Sequence, residues 1–331
     1  MKIKYQPHWV NGKVIKGGIR DSEDRYEMIK SVCKRFNRPF SVLDIGANFG
    51  YFSFRLAEDF DCHVTMIEKS AECSSILNEL CRKNDKDNVA FLKHNASVKS
   101  LSLLSKLEHF DVVLGMSVIH YFGNPELSMP AFRSLSTNLI LEVPVEDTAA
   151  NPDVVRKIKV PDGAEFLGES PSHVADVARP IYHITQEKEM TPIPYLGITD
   201  DMRVSAINEH SIVSDFDTKK IIFCNSDGKL GKRHNTEEDW IPGINLMTYL
   251  NFGGKWPNRE RVISMVKDVK EHGDIRPWNI ILGNNGPTII DSRREYDNET
   301  DSKDSLATQK WIKDRASKDN PFDPHGLGDW T

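Results

Sequence analysis

From Ser41 onward, short apolar runs alternate with longer amphipathic stretches. SVLDIG (41–46), YFSFRLAED (51–59), HVTMIE (63–68), a polar stretch to Lys83 and VAFLKHN (89–95) predict strand, helix, strand, helix, strand. That rhythm is the mark of a parallel sheet covered on both faces. DVVLGMS (111–117) continues it as a fourth strand and NLILEVP (138–144) as a fifth. AEFLGES (164–170) and RPIYHIT (179–185) add two more around the helix-like SHVADVA (172–178). Upstream, DSEDRYEMIKSVCKRF (21–36) reads as a helix with Asp21 or Ser22 as N-cap and acidic residues in its first turn, expected to lie across the mouth of the sheet.

After Thr185 the pattern weakens, and MTPIPYLGITDDM (190–202), with its turn residues and prolines, reads as a boundary. Between 200 and 239 only KKIIFCN (219–225) is a convincing strand. Beyond Trp240, INLMTYL (244–250) and RERVISMVKDVKEH (259–272) predict helices, and NIILG (279–283) and TIID (288–291) predict short strands. The charged tail holds one helix around LATQKWIKDRA (306–316). Two domains follow, 1–190 and 191–331, the first a Rossmann-like α/β unit with a seven-stranded sheet and the second a smaller α+β unit.

The 331 residues are 39% hydrophobic and 28% charged, so a sizeable core can form without disulfides or metals. A net charge of −6 gives no basic field for a phosphate backbone, which disfavours nucleic acid as a partner. The cluster Lys219, Lys220, Lys229, Lys232 and Arg233 reads as a solvated face. Five cysteines in odd number without CxxC spacing argue against a disulfide framework and a zinc site. Met1 to Val10 lacks an apolar signal core, and no window approaches a membrane span, so the expected location is the cytoplasm. Oligomeric state has no signature in the sequence.

The first strand runs into DIGANFG (44–50). Gly46 and Gly50 allow a tight turn and close approach of a ligand, and the following helix N-terminus would offer free amide donors. About 20 residues on, Glu68 ends the second strand, where a carboxylate can accept both hydroxyls of a ribose. These features imply an adenosine moiety and fit a methyl donor or a dinucleotide alike. There is no GxGxxG triplet, and VLDIGANFGYFS closely resembles motif I of class I S-adenosylmethionine-dependent methyltransferases. That resemblance covers about 180 residues. It implies that Asp44, Gly46, Ala47, Asn48 and Gly50 line the cofactor and that Glu68 holds its ribose. Asn95 would stand near the adenine, where the family often carries Asp, and Gly115, Met116 and Ser117 of GMSVIHYF would line the remainder. Arg25, on the preceding helix, is the candidate partner for the cofactor carboxylate.

Methyl transfer from a sulfonium needs an aligned acceptor, exclusion of water and, for a poorly nucleophilic oxygen, removal of a proton. His120 is the candidate base, with packing or an adenine contact as its alternatives. Glu142 and His173 are further pocket candidates or loop-orienting groups. The implied activity is O-directed methylation of a small molecule or glycan.

HGDIRPWNIILGNNGPTIID (272–291) resembles the catalytic and metal-binding segment of protein-kinase-like phosphotransferases. There Asp274 would accept the proton of an attacking hydroxyl, and Asn279 and Asp291 would hold Mg²⁺ with ATP. WIPGINLMTYL (240–250) resembles that fold's hinge and first large-lobe helix. A glycine-rich phosphate loop and a VAIK-like lysine are missing, Lys219 and Lys220 being weak substitutes, and SRR follows Asp291 where Phe-Gly is usual. Three readings stay open: a compact working kinase, a degenerate kinase that binds an acceptor or partner, and a structural appendage. The order of units resembles that of the bifunctional methyltransferase-kinases that cap bacterial O-antigen polysaccharides, which would make the acceptor a glycan or its phosphate.

Overall fold

The computed structural model describes residues 5–20, 22–145, 152–172, 177–185, 192–198, 204–214, 219–224, 237–239, 241–254, 259–268, 280–289, 306, 309 and 310. The chain opens with a hairpin, β1 (His8–Val10) and β2 (Lys13–Lys16), followed by α1 (Glu23–Cys33). Then come β3 (Phe40–Ile45), α2 (Tyr51–Asp59), β4 (Cys62–Glu68), α3 (Ala71–Asn84), β5 (Val89–Lys93) and α4 (Val98–Leu107). β6 (Phe110–Met116), a 3₁₀ turn (Ile119–Phe122), α5 (Pro125–Arg133), β7 (Ser136–Glu142) and α6 (Pro152–Arg156) follow. β8 (Glu165–Pro171) and β9 (Ala178–Thr185) close the sheet.

Every strand expected between 41 and 185 is present, in one seven-stranded sheet ordered β5-β4-β3-β6-β7-β9-β8. β5, β4, β3, β6 and β7 run parallel, and β9 is antiparallel to both of its neighbours, β7 and β8. The strands are legible because helices cover both faces: β3, β4 and β6 are buried at every position, so they read as unbroken apolar runs. Two buried clusters, one on each face, form the core. The chain leaves β3 toward β4 and β5 on one side and reaches β6 and β7 on the other. The carboxyl end of β3 is therefore the topological switch point, where open α/β sheets bind ligands.

α1 does not lie across the mouth of the sheet. Near its start Arg25 bonds Glu142 at the end of β7, and just past its end Arg35 pairs with Glu165 and His183, which bonds Asn138 at the start of β7. The helix thus runs along one face, and only its first turn reaches the ligand end. Its buried residues Tyr26, Ile29, Val32 and Cys33 fix that orientation, because they form the stripe that must face the core. The N-cap is Ser22, without a side-chain capping bond.

The second half departs further from expectation. MTPIPYLGITDDM is not a turn-rich boundary throughout: it contains β10 (Pro192–Ile198), which joins β11 (Val204–Ser214), β12 (Lys219–Cys224) and β13 (Glu237–Asp239) in a four-stranded antiparallel sheet. Pro192 and Pro194 are tolerated because β10 is an edge strand, where a missing N–H breaks no ladder. Next, β14 (Gly243–Asn245) takes the start of the expected helix 244–250, leaving α7 (Leu246–Asn251), and α8 (Arg259–Asp268) follows. The expected strands at 279–291 form the hairpin β15 (Ile280–Gly283) and β16 (Gly286–Ile289), which pairs with β14.

This unit is docked on the first. Leu246, Tyr249, Leu250, Phe252, Val262, Ile280 and Leu282 belong to the same buried cluster as Leu92, Leu104 and Val113 of the large sheet. Gly254 bridges Leu92, and the Lys93 amide donates to Gly253 O at 3.1 Å, so the loop after α7 covers the edge strand β5. Beneath it, buried Glu108 accepts from the Asn245 amide at 3.2 Å. Burial pushes the Glu108 carboxyl up from 4.5 to about 8. An acid raised on folding contributes stability that is complete below its ordinary value and lost as the pH climbs through the folded value. Glu108→Gln is accordingly expected to stabilise the protein by about 1–3 kcal/mol at pH 8. The gain should vanish near pH 4.5, as urea denaturation at the two pH values would measure.

Among the described residues no helix is long and apolar enough to cross a membrane, and the four described cysteines, Cys33, Cys62, Cys73 and Cys81, are buried free thiols.

Candidate functional site

The switch point carries the DIGANFG turn. Gly46, Asn48 and Gly50 all have positive φ (76°, 56° and 71°), alternating with ordinary residues so that the backbone curls before α2 begins. Gly46 N and Ala47 N donate to Ile67 O at 2.8 and 3.0 Å, which pins the turn to the end of β4. A Cβ at Gly46 would lie 2.5 Å from Val118 Cγ1, so the turn and the segment after β6 close on each other with no space for a side chain.

Glu68 is held over this turn. One carboxylate oxygen accepts from Asn48 N at 3.0 Å and the other from Ser70 N at 2.7 Å. Each oxygen retains acceptor capacity, so the carboxylate can also take two ribose hydroxyls. Asp44 is buried at the strand end and accepts from Ser53 Oγ at 2.6 Å. Burial, opposed by that bond and reinforced by the Glu68 charge, lifts its carboxyl to about 6, so a neighbouring cation would restore its charge. Asn48 Oδ1 is buried without a hydrogen-bond partner.

The helix N-terminus is not free, contrary to the reading of the turn by itself. Gln6 is buried, and its Oε1 accepts from Phe49 N at 3.2 Å and Tyr51 N at 3.4 Å. An N-terminal strap therefore caps α2 and leaves Asn48 and Glu68 as the turn's polar offering. The strap is held by the β1–β2 hairpin, whose Trp9 donates to Glu58 at 2.8 Å and whose Asn11 amide donates to Asn84 at 3.0 Å.

On the other side of the switch point, Gly115 and Met116 are buried at the end of β6, and Ser117 follows in the left-handed region at φ 61°. His120 sits in the 3₁₀ turn beside Tyr121, their ring centroids 4.0 Å apart, with Nδ1 buried and unbonded. Burial, then the Arg179 charge, pushes its imidazole down to about 4, so it is neutral at pH 7. Asn95 lies exposed in the loop after β5. Beyond the 3₁₀ turn, a cavity of about 440 Å³ opens between Gly123–Glu126 and Asp153, Val154 and Lys157.

Glu142, at the end of β7, lies between two arginines. Arg20 Nη2 donates to one of its oxygens and Arg25 Nη2 to the other, with all three side chains buried. The Arg25 guanidinium, expected to meet a ligand carboxylate, thus already meets one of the protein, and it also lies 5.0 Å over the Phe52 ring. Arg179, from β9, is buried and donates to Ser117 Oγ at 2.6 Å. Neither Arg20, Arg179 nor Gln6 is a residue the sequence singled out, because no local motif marks them.

His173, Asp274, Asn279 and Asp291 lie outside the described residues, as do the side chains of Lys219 and Lys220. Among the described residues no group of three or more His, Cys, Asp or Glu is placed to hold a metal.

Residues 42–138, from β3 into β7, match the model of the family described as a methyltransferase domain. Among curated proteins the chain is similar to the O-antigen chain terminator bifunctional methyltransferase/kinase WbdD of Escherichia coli, 22% identical over 335 residues, covering 80% of this chain and 46% of that protein. A second Escherichia coli WbdD is 25% identical over 187 residues, 51% of this chain and 26% of that protein. The chain spans less than half the length of these relatives. Similar solved structures include WbdD with the kinase inhibitor LY294002, at 17% identity and a TM-score of 0.43 over 83% of this chain and 76% of that one. Another is the N-terminal domain of EvdMO1 with SAH and D-fucose, at 16% and 0.41 over 55% and 91%. The stretch that matches the methyltransferase-domain model begins at the strand that leads into the turn described above.

Proposed function

We propose that the protein transfers a methyl group from S-adenosylmethionine to an oxygen of a small molecule or glycan, a sugar phosphate included. The observation that carries this reading is Glu68, a carboxylate fixed by the Asn48 and Ser70 amides over a glycine turn at the switch point, with lone pairs left for a ribose. The buried, unbonded Asn48 Oδ1 fits the same ligand. In this reading Glu68 holds the ribose, Asp44 faces the ammonium of the methionine part, and Gly115, Met116 and Ser117 line the pocket beside β6, with Asn95 toward the adenine. The cofactor supplies a methyl group already activated by a positive sulfonium. What remains for the chain is to align the acceptor and exclude water, and burial of the strand ends serves both. His120 stands near the reacting atoms as a neutral imidazole; a base titrating near 4 is poorly matched to a sugar hydroxyl, so its role here is to pack and orient.

A second reading adds phosphotransfer. The β15–β16 hairpin follows Asp274 and Asn279 where a kinase metal segment would place it, and the likeness to the bifunctional WbdD extends over 80% of the chain. Asp274 would then act on a hydroxyl with Mg-ATP held by Asn279 and Asp291. The buried free thiols support a reducing, cytoplasmic setting.

Calorimetry on the full chain tests both readings. S-adenosylhomocysteine is expected to bind, and Glu68→Ala to weaken it by about 1–3 kcal/mol through loss of charge-assisted hydrogen bonds. Unchanged affinity would remove Glu68 from the site. Tight Mg-ATP binding without either adenosyl ligand would overturn the methyltransferase reading.

A further inference from the structure

We propose that the second unit is part of the cofactor site: Phe252, Gly253 and Gly254, at the end of α7, position the loop that follows β5, so that Glu68 and Asn95 can hold the adenosine half of the methyl donor. The inference rests on the methyltransferase reading and gives the second unit a positioning role in it.

β5 is the outermost strand at its side of the large sheet. An edge strand presents a row of backbone groups without a neighbouring strand. Here the second unit meets that row. The Lys93 amide donates to Gly253 O at 3.1 Å, Gly254 bridges Leu92, and the Phe91 backbone bonds the buried Tyr249 hydroxyl. The next residue along turns its backbone the other way, and the His94 amide donates to Glu68 O at 3.2 Å. The end of β5 is thus gripped on both sides, by Glu68 within the sheet and by the second unit outside it.

The outer grip is closely fitted. Phe252 is 1% exposed and sets its ring edge-on to that of His94, with the centroids 5.5 Å apart. Gly253 lies in the left-handed region at φ 88°, which lets the chain reverse as α7 ends. The Gly254 amide donates to Tyr249 O at 2.8 Å, and a Cβ at Gly254 would lie 2.3 Å from Tyr249 Cε1, so the loop rests directly on the tyrosine ring.

Asn95 follows His94 at once, so its place beside the pocket is inherited from these contacts. The two halves of the cofactor site differ in this respect. At the methionine end, Gln6 caps α2 and Ser53 bonds Asp44, all within the first unit. At the adenosine end the support crosses from one unit to the other. Linkage then runs both ways: if docking of the α7 turn strengthens binding of an adenosyl ligand, the ligand strengthens that docking by the same factor.

The test uses the full chain and S-adenosylhomocysteine. By calorimetry, Phe252→Ala is expected to weaken binding by about fivefold or more. Val262→Ala removes apolar volume from α8 in the same buried cluster, and it should change the affinity by less than about twofold. Phe252→Leu keeps most of the bulk and loses the ring edge; it should fall between, and it keeps the test open should the alanine variant fail to fold. In the wild type, hydrogen exchange at the Lys93 amide should slow when S-adenosylhomocysteine is added. Equal losses in Phe252→Ala and Val262→Ala would reduce the contact to general stability and overturn the proposal. So would unchanged affinity in both Phe252 variants, or exchange at Lys93 that ignores the ligand. Failure of S-adenosylhomocysteine to bind the wild type would instead sink the methyltransferase reading.

Discussion

Glu142→Gln is expected to destabilise the protein by about 3–5 kcal/mol, the usual cost of removing one partner from a buried ionic cluster. The substitution is nearly isosteric, so no cavity forms, and the loss comes from charge. Arg20 and Arg25 lose their shared carboxylate while remaining nine-tenths or more buried beside Arg179. Urea denaturation would read the loss directly. The double variant Glu142→Gln with Arg20→Met should lose less than Glu142→Gln by itself, because the second change removes one of the cations left unpaired. A loss below about 1 kcal/mol in the single variant would mean that the guanidiniums relax into water, and the cluster would then not be a buried site at all.

What the sequence disclosed and what it withheld divide along a physical line. The central strands β3, β4 and β6 were legible because each is buried on both faces and its run of apolar residues is local. The glycine turn and Glu68 were legible because a positive φ and a strand-end acid leave their mark within some twenty positions. Arg20, Arg179 and Gln6 left no such mark. Arg179 reaches Ser117 across 62 positions and Arg20 reaches Glu142 across 122, joined by the β7–β9 pairing and by the path of the strap, so each reads locally as one more surface charge. Gln6 is an ordinary polar residue until the fold sets it against the amides of Phe49 and Tyr51. The N-terminal hairpin did have a local signal: Asn11-Gly12, both at positive φ, between strand-like runs. β10 was obscured by prolines that argue against a strand everywhere except at an edge, and edge position is a property of the sheet that no window along the chain contains.

Gly50→Ala is expected to cost about 2–5 kcal/mol, from two separate terms. The residue sits at φ 71°, where a Cβ crowds the following carbonyl at about 1–2 kcal/mol. The new methyl would also lie 2.8 Å from Phe54 Cε2, 2.9 Å from Leu77 Cδ1 and 3.0 Å from Met66 Sδ. Those atoms belong to α2, α3 and β4, all set in the same buried cluster, so relief requires elements to move and adds about 1–3 kcal/mol. Gly12→Ala separates the terms: its φ is 79° but nothing lies within 4 Å of the added carbon, so only the conformational cost applies. Chemical denaturation of the two variants should place Gly50→Ala at least about 1 kcal/mol below Gly12→Ala. Equal losses would mean that α2 and α3 yield freely around the turn. A cradle that yields could not hold the Asn48 amide against Glu68, since Asn48 is fixed through the same curl, in which Gly50 N donates to Ala47 O at 2.8 Å.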